Sequence, residues 1–221
     1  DWVVPRLSWD DSYRPDRGRV LDADELEAMD RFYRYSPEDE NHVAARTLPG
    51  VHSKGAFFTR GSGHNKFGGY TEIPDEYREV VDRLARKHTA SAKFIPPAVV
   101  RDEGNSIGIV TLGGCDLAVR EALHDLAGRG VRTDYMRVCG FPFDANVESF
   151  LNGHDVCFVV EQNRDAQLRS LLILETAVPK ENLRSVLVYG GFPLSARHVV
   201  EGIMGQLPAP MPDREEAPCR P

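Results

Sequence analysis

The 221 residues are 41% apolar and 28% charged, with a formal net charge of −7. That is the composition of one large or two small globular domains with a real core. Its acidity makes duplex nucleic acid and anionic membranes poor partners unless a local basic patch exists. The densest basic stretch, "RLARKH" at Arg83–His88, reads as the solvated face of a helix, so no such patch is expected.

The four cysteines, Cys115, Cys139, Cys157 and Cys219, lie far apart, without a CxxC pair or a Cys/His cluster. The sequence therefore offers no ladder for zinc or an iron–sulfur cluster, and no metal ligands are assigned. Cys157 sits in an apolar run and reads as a buried thiol; the pattern suits a reducing, cytoplasmic setting. Neither a signal peptide nor an apolar run long enough to span a bilayer is expected. "DWVVPRLSW" opens on Asp1 with the texture of mid-domain sequence, so the chain is expected to be a piece of a longer protein.

From Asp1 to about Gly69 the chain is rich in aromatics, Pro, Gly and charge, with one short helical pattern, "DADELEAMDRFYRY". Asp22 or Asp24 can cap it, and Leu26, Met29 and Phe32 or Tyr33 fall on one face. The rest reads as loop. Its most chemically loaded part, "FFTRGSGHNKFGGY", interleaves Arg60, His64, Asn65 and Lys66 with four glycines. A guanidinium can clamp a carboxylate and an imidazole can exchange protons near neutral pH, while glycine-dependent turns alone also account for the composition. No carboxylate dyad or Ser/His/Asp set accompanies the loop, so no catalytic residue is assigned.

"PDEYREVVDRLARKHTASAKF" predicts a helix entered through Pro74, with Val80, Val81, Leu84 and Ala92 on its apolar side. "IPPAVV" breaks it and marks a boundary. Beyond it strands and helices alternate. Strands are expected over Ser106–Leu112, Val131–Val138, Asp155–Val160 and Arg184–Tyr189, with Ile109, Val110, Phe158, Val159, Leu187 and Val188 buried. Each strand is followed by a helical pattern, which predicts an α/β fold: a mostly parallel sheet flanked by helices. The tail from Pro208 is expected to be loose.

In parallel sheets, ligand-facing groups collect at the carboxyl ends of strands. "VVEQNRDAQLRSLL" has that address. It places Glu161, Gln162, Asn163, Arg164 and Asp165 between the third strand and its helix. Asp165 as a helix cap explains one of the five, and a binding or subunit-contact role for the other four stands beside capping and turn formation. Glycine turns follow the first and fourth strands, "TLGGCD" and "YGGFPLSA"; neither matches GxGxxG or a phosphate-loop lysine motif.

Taken together, "DWVVPRL", "KGAFFTRGSGHNKFGGYTE", "GIVTLGG" and "DVCFVVEQNRDAQLRSLL" resemble the alpha subunit of 2-oxoacid:ferredoxin oxidoreductases, most closely the 2-oxoglutarate form, in the expected order over nearly the whole chain. The resemblance implies that residues 1–95 close a pyrimidine-type thiamine domain and connect it onward. Residues 96–207 would be similar to the C-terminal domain of transketolase, with 208–221 a loose tail. It implies oxidative decarboxylation of a 2-oxoacid with coenzyme A and electron transfer to ferredoxin. A beta subunit would carry thiamine diphosphate, Mg²⁺ and a [4Fe-4S] cluster. This chain would bind no cofactor alone, be inactive alone, and belong to an oligomer. Arg60, His64 and Asn65 would then lie near substrate or cofactor, and Glu161, Gln162, Asn163 and Arg164 at a subunit or cofactor-region contact. A stand-alone α/β module for a nucleotide or phosphorylated ligand is the alternative.

Overall fold

A computed structural model of the chain describes residues 8–36, 39–58 and 61–208. The chain divides into two units, Asp1–Ile95 and Pro96–Pro221.

In the first unit, α1 (Ala23–Ala28) starts at a capping box. The Asp22 carboxylate accepts from the Glu25 N–H and the Glu25 carboxylate accepts from the Asp22 N–H, each at 2.9 Å. Leu26 packs with Leu21, Phe32 and Ala45 in a small core, with Met29 against it and Tyr33 exposed. The second helix, α2 (Pro74–Ser91), has Pro74 in its first turn and Asp75 and Glu76 beside the helix's positive end. Its buried positions are Val80 and Arg83, whereas Val81 and Leu84 are exposed. The expected apolar face is therefore corrected: Arg83 is held inside by donating to the His42 carbonyl at 3.0 Å. Ile73, Tyr77, Val81 and Leu84 leave an exposed apolar stripe along the helix.

The second unit is a five-stranded sheet of order β1-β3-β2-β4-β5. Its strands are β1 (Val99–Arg101), β2 (Ile107–Leu112), β3 (Asp134–Val138), β4 (Val156–Glu161) and β5 (Leu183–Leu187). All neighbours are parallel except β1, which runs antiparallel to β3. The helices between them are α3 (Asp116–Gly128), α4 (Ala145–Asn152), α5 (Gln167–Glu175) and, last, α6 (Ala196–Met204). Alternation along each strand sends neighbouring side chains to opposite faces. Ile109, Phe158 and Val186 meet α3 and α6 through Val119, Leu126 and Ile203. Val110, Val159 and Met136 meet α4 and α5 through Leu151 and Leu172. Full burial of each such side chain contributes about 1.5–3 kcal/mol.

The expected α/β class with a mostly parallel sheet flanked by helices is what the structure has. Several details are corrected. The "IPPAVV" break also holds β1, a three-residue edge strand whose exposed side chains left no buried pattern to read. β3 starts at Asp134, because Val131 completes the end of α3. There Gly130 adopts φ +81°, its N–H bonds Ala127, and the Val131 N–H bonds Leu126 at 2.9 Å. In β5 the buried residues are Leu183 and Val186, with Leu187 and Val188 half-buried on an edge strand.

Two glycines set how closely elements approach. A Cβ on Gly202 of α6 would lie 2.6 Å from Val186 Cγ1 of β5, and one on Gly108 of β2 would lie 2.8 Å from Cys157 Sγ of β4.

Candidate functional site

The chain leaves β2 toward β3 on one side of the sheet, then crosses to β4 on the other. Loops after β2 and β4 therefore diverge, opening a crevice at the carboxyl edge, where ligands meet open parallel sheets. A cavity of about 340 Å³ lies there, lined by Leu112, Gly114, Cys115, Gln162, Gln167 and Leu171 among others. Gly113 makes the exit turn from β2 at φ +60°, a conformation that favours glycine. Cys115 is buried, which pushes its thiol pKa up, and its Sγ donates weakly to Gln162 Oε1 at 3.9 Å. It sits in the site as a neutral, apolar group rather than a thiolate.

The polar cluster after β4 divides into two parts. Glu161, buried at the end of the strand, turns its carboxylate onto the start of α5. It accepts from the Leu168 N–H at 2.8 Å, the Arg169 N–H at 3.0 Å and the Asn163 Nδ2 at 2.6 Å. Asn163 Oδ1 accepts from the Asp165 and Gln167 N–H groups at 3.0 and 3.3 Å. The otherwise unpaired first-turn donors of α5 are thus satisfied by Glu161 and Asn163, and the carboxylate also faces the positive end of the helix. The expected cap at Asp165 is corrected, since its carboxylate instead accepts from Arg164 Nε at 2.8 Å. The hinge of the turn is Ala166, held in the left-handed region at φ +50°. Gln162 lines the cavity beside Glu161 and the half-buried Asn163, whose polar groups are already engaged with α5, and Arg164 is exposed to solvent. Gln167 and Cys115 complete the wall. The sequence marked both turns, but that they share one crevice follows only from the strand order.

In the loop from Phe57 to Tyr70, Asn65 is the organiser. Its Oδ1 accepts from the Phe67 and Gly69 N–H groups, each at 3.1 Å, and its Nδ2 donates to Glu76 at 3.3 Å. The His64 ring packs on Tyr35 with centroids 4.2 Å apart, and its Nδ1 donates to the Ser62 carbonyl at 3.1 Å. Hydrogen bonds from Thr71, then Asn65, hold the Glu76 carboxyl below its usual range. Arg60 lies outside the described residues.

Among the described residues, one group has metal-ligand proximity: Asp102, Asp134 and His154, with candidate atoms within 4.8 Å of one another. Asp134 is already saturated there by Glu103 and Asn105 N–H groups, the Asn105 amide and His154. Cys115 and Cys157 are buried thiols, and burial pushes Cys157 up to about 12. These donors do not fit a thiolate-held iron–sulfur cluster or a Mg²⁺–diphosphate site. No described helix is long and apolar enough to cross a membrane.

The geometry defines an α/β fold with a switch-point crevice, and the fold recurs in a known structure. Over 81% of its length the chain matches, at TM-score 0.70 and 21% identity, the 2-oxoglutarate:ferredoxin oxidoreductase from Magnetococcus marinus, solved with 2-oxoglutarate, coenzyme A and succinyl-CoA bound. The chain spans 31% of that protein's chain, so the similarity is one of fold over part of a larger protein. A split gene transketolase, an inactive beta4 tetramer, matches 49% of this chain and 40% of its own at TM-score 0.40 and 22% identity. The alpha chain of a probable 2-oxoacid ferredoxin oxidoreductase from Thermoplasma acidophilum matches 49% of this chain and 95% of its own, at TM-score 0.34 and 23% identity. No family model and no curated protein matches the chain.

Proposed function

We propose that the chain is the C-terminal part of the alpha subunit of a 2-oxoacid:ferredoxin oxidoreductase acting on 2-oxoglutarate. The observation that carries this reading is the TM-score of 0.70 over 81% of the chain. It joins a sequence resemblance that runs in the same order through the loop at Phe57–Tyr70 and the turn after β4. On this reading residues 1–95 close a pyrimidine-type thiamine domain, and 96–207 form the transketolase C-terminal-like domain.

The crevice then has a defined job. Glu161 and Asn163 hold the start of α5, while Gln162 and Arg164 present hydrogen-bonding groups on a turn fixed at both ends, at little entropic cost to a partner. That surface would meet the beta subunit, which would carry thiamine diphosphate, Mg²⁺ and the [4Fe-4S] cluster and pass electrons to ferredoxin. His64, Asn65 and Arg60 would shape the neighbourhood of substrate or cofactor. When bound by the partner, thiamine diphosphate would supply the electron sink for decarboxylation. This chain would add framework and contacts, and be inactive alone in the cytoplasm-type reducing setting its free thiols suit.

The test is reconstitution of the full-length alpha subunit with its beta subunit. Ferredoxin reduction dependent on coenzyme A and on 2-oxoglutarate rather than pyruvate is expected. Absence of any oxoacid-dependent reduction by an assembled complex would overturn the reading.

A further inference from the structure

No basic run stands out in the sequence, yet the fold assembles a basic groove from distant residues. It lies between β1 and α3. One cavity of about 320 Å³ is lined by Arg101, Arg120, His124, Arg132, Asn105 and Thr133 among others. A second, of about 280 Å³, shares Arg101, Arg120 and Leu123 with it and adds Asp116, Tyr135 and Arg137. Three guanidinium groups thus line each cavity, Arg101 and Arg120 with Arg132 in the first and with Arg137 in the second, in a chain of net charge −7 and against one lining carboxylate each, Glu103 and Asp116.

The internal pairing leaves this charge largely uncompensated. Asp116 already accepts from the Tyr135 hydroxyl at 2.6 Å. Its other oxygen stands 3.7 Å from Arg137 and 4.0 Å from Arg120, beyond hydrogen-bond length for either. Arg101 and Arg132 make no ion pair with any described residue. Buried or convergent donors left without acceptors ask for one from outside. Leu123 and Val99 add apolar surface beside the arginines.

We propose that the first of these cavities binds a small phosphate or pyrophosphate group, its oxyanions taken by Arg101, Arg120 and Arg132. Guanidinium forks match phosphate oxygens two at a time, and the cavities are of a size for a small molecule rather than a flat strip for a polymer. The first cavity lies on α3, β1 and the amino-terminal approach to β3, and shares no lining residue with the crevice after β2 and β4. It does not depend on the oxidoreductase reading.

The experiment titrates the purified 221-residue chain with inorganic pyrophosphate at low ionic strength by calorimetry, with a glutamate-rich peptide and a short DNA duplex as parallel arms. Pyrophosphate binding is expected. It should weaken about tenfold in Arg101→Gln and in Arg132→Gln, each the loss of one charge-assisted contact. It should be unchanged in Arg197→Gln, which removes a charge on α6 that is paired with Glu201. Arg101 and Arg132 are exposed, so these variants keep the fold, as far-ultraviolet circular dichroism verifies. No pyrophosphate binding, equal weakening in Arg197→Gln, or tighter binding of the peptide or the DNA through these arginines would each overturn the proposal.

Discussion

His154 Nε2 donates to Asp134 Oδ2 at 3.2 Å, and the two side chains are 1% and 0% exposed. The other ring nitrogen faces the Phe150 carbonyl at 2.6 Å, so both sides of the imidazole meet acceptors. Through Asp134 the pair also receives the Glu103 and Asn105 N–H groups, tying the β1–β2 loop to the start of β3 and the end of α4. Removing one partner of such a pair strands the other in the interior. His154→Leu is expected to cost about 3–5 kcal/mol in urea unfolding, far more than an exposed substitution such as Arg164→Ala at about 0.5 kcal/mol or less.

The same pair sets an acid limit. Burial works to raise the Asp134 carboxyl, but the bonds from Glu103, Asn105 and His154 prevail and hold it at about 2. In the unfolded chain the group titrates at about 3.9. A lowered folded value means that its stabilising contribution is complete above about pH 4 and is lost as pH falls toward 2. Urea midpoints measured from pH 6 to pH 2 should be level in the upper part and fall steeply at the end. In Asp134→Asn the curve should start lower and flatten over that acid window.

Glu161 is expected to matter for the fold rather than for contact. Glu161→Gln removes a charge-assisted acceptor shared by two helix N–H groups and should cost about 1.5–3 kcal/mol. Asn163→Ala, which removes the remaining cap, should cost about 1 kcal/mol. Gln162→Ala should leave the unfolding midpoint unchanged and, on the proposed function, lower turnover or beta-subunit affinity of the reconstituted complex. A Gln162→Ala enzyme with full assembly and turnover would remove the crevice from the proposed contact.

Glycine positions give a sharper contrast. Gly202→Ala forces a methyl within 2.6 Å of Val186 Cγ1 and should destabilise by about 1–3 kcal/mol. Gly114→Ala meets no atom within 4 Å and needs no positive φ, so thermal unfolding should shift little.

Limited proteolysis should cut first between Asp39 and Gly69, where the described residues of the first unit are mainly loop and its buried cluster is Leu21, Leu26, Phe32 and Ala45. First cuts inside β2–β4 instead would contradict the stability order that this core size implies.

The sequence made the sheet legible because β-branched runs such as "SIGIVTL" and "DVCFVVE" announce buried strands wherever helices flank them. It hid what depends on contacts between distant residues. Capping rules look one to four residues from a helix start, and Glu161 reaches the Leu168 N–H from seven residues away. Arg83 broke the periodicity of α2 because a backbone carbonyl from His42, 41 residues away, made its burial tolerable. β1 carries exposed side chains after two prolines, which read as punctuation and nothing more. The arginine groove is invisible for the same reason: its members come from two strands, a helix and a loop.

The strand order also dictates when the sheet can form. β2 is the central strand, and its partnership with β4 joins residues 49 apart, as in the Thr111 hydroxyl that donates to the Val160 carbonyl. During synthesis β2 can pair with β3 first, but one flank of it stays open until the chain beyond Glu161 has emerged. For that interval the backbone groups of β2 that will pair with β4 have no partner, and closing the loop costs entropy before the β4 contacts repay it. Folding should therefore be limited by docking of β4. A chain that ends before Val156 would hold a sheet that is still adhesive, whereas one released past Leu187 would hold a sheet whose interior strands are already matched.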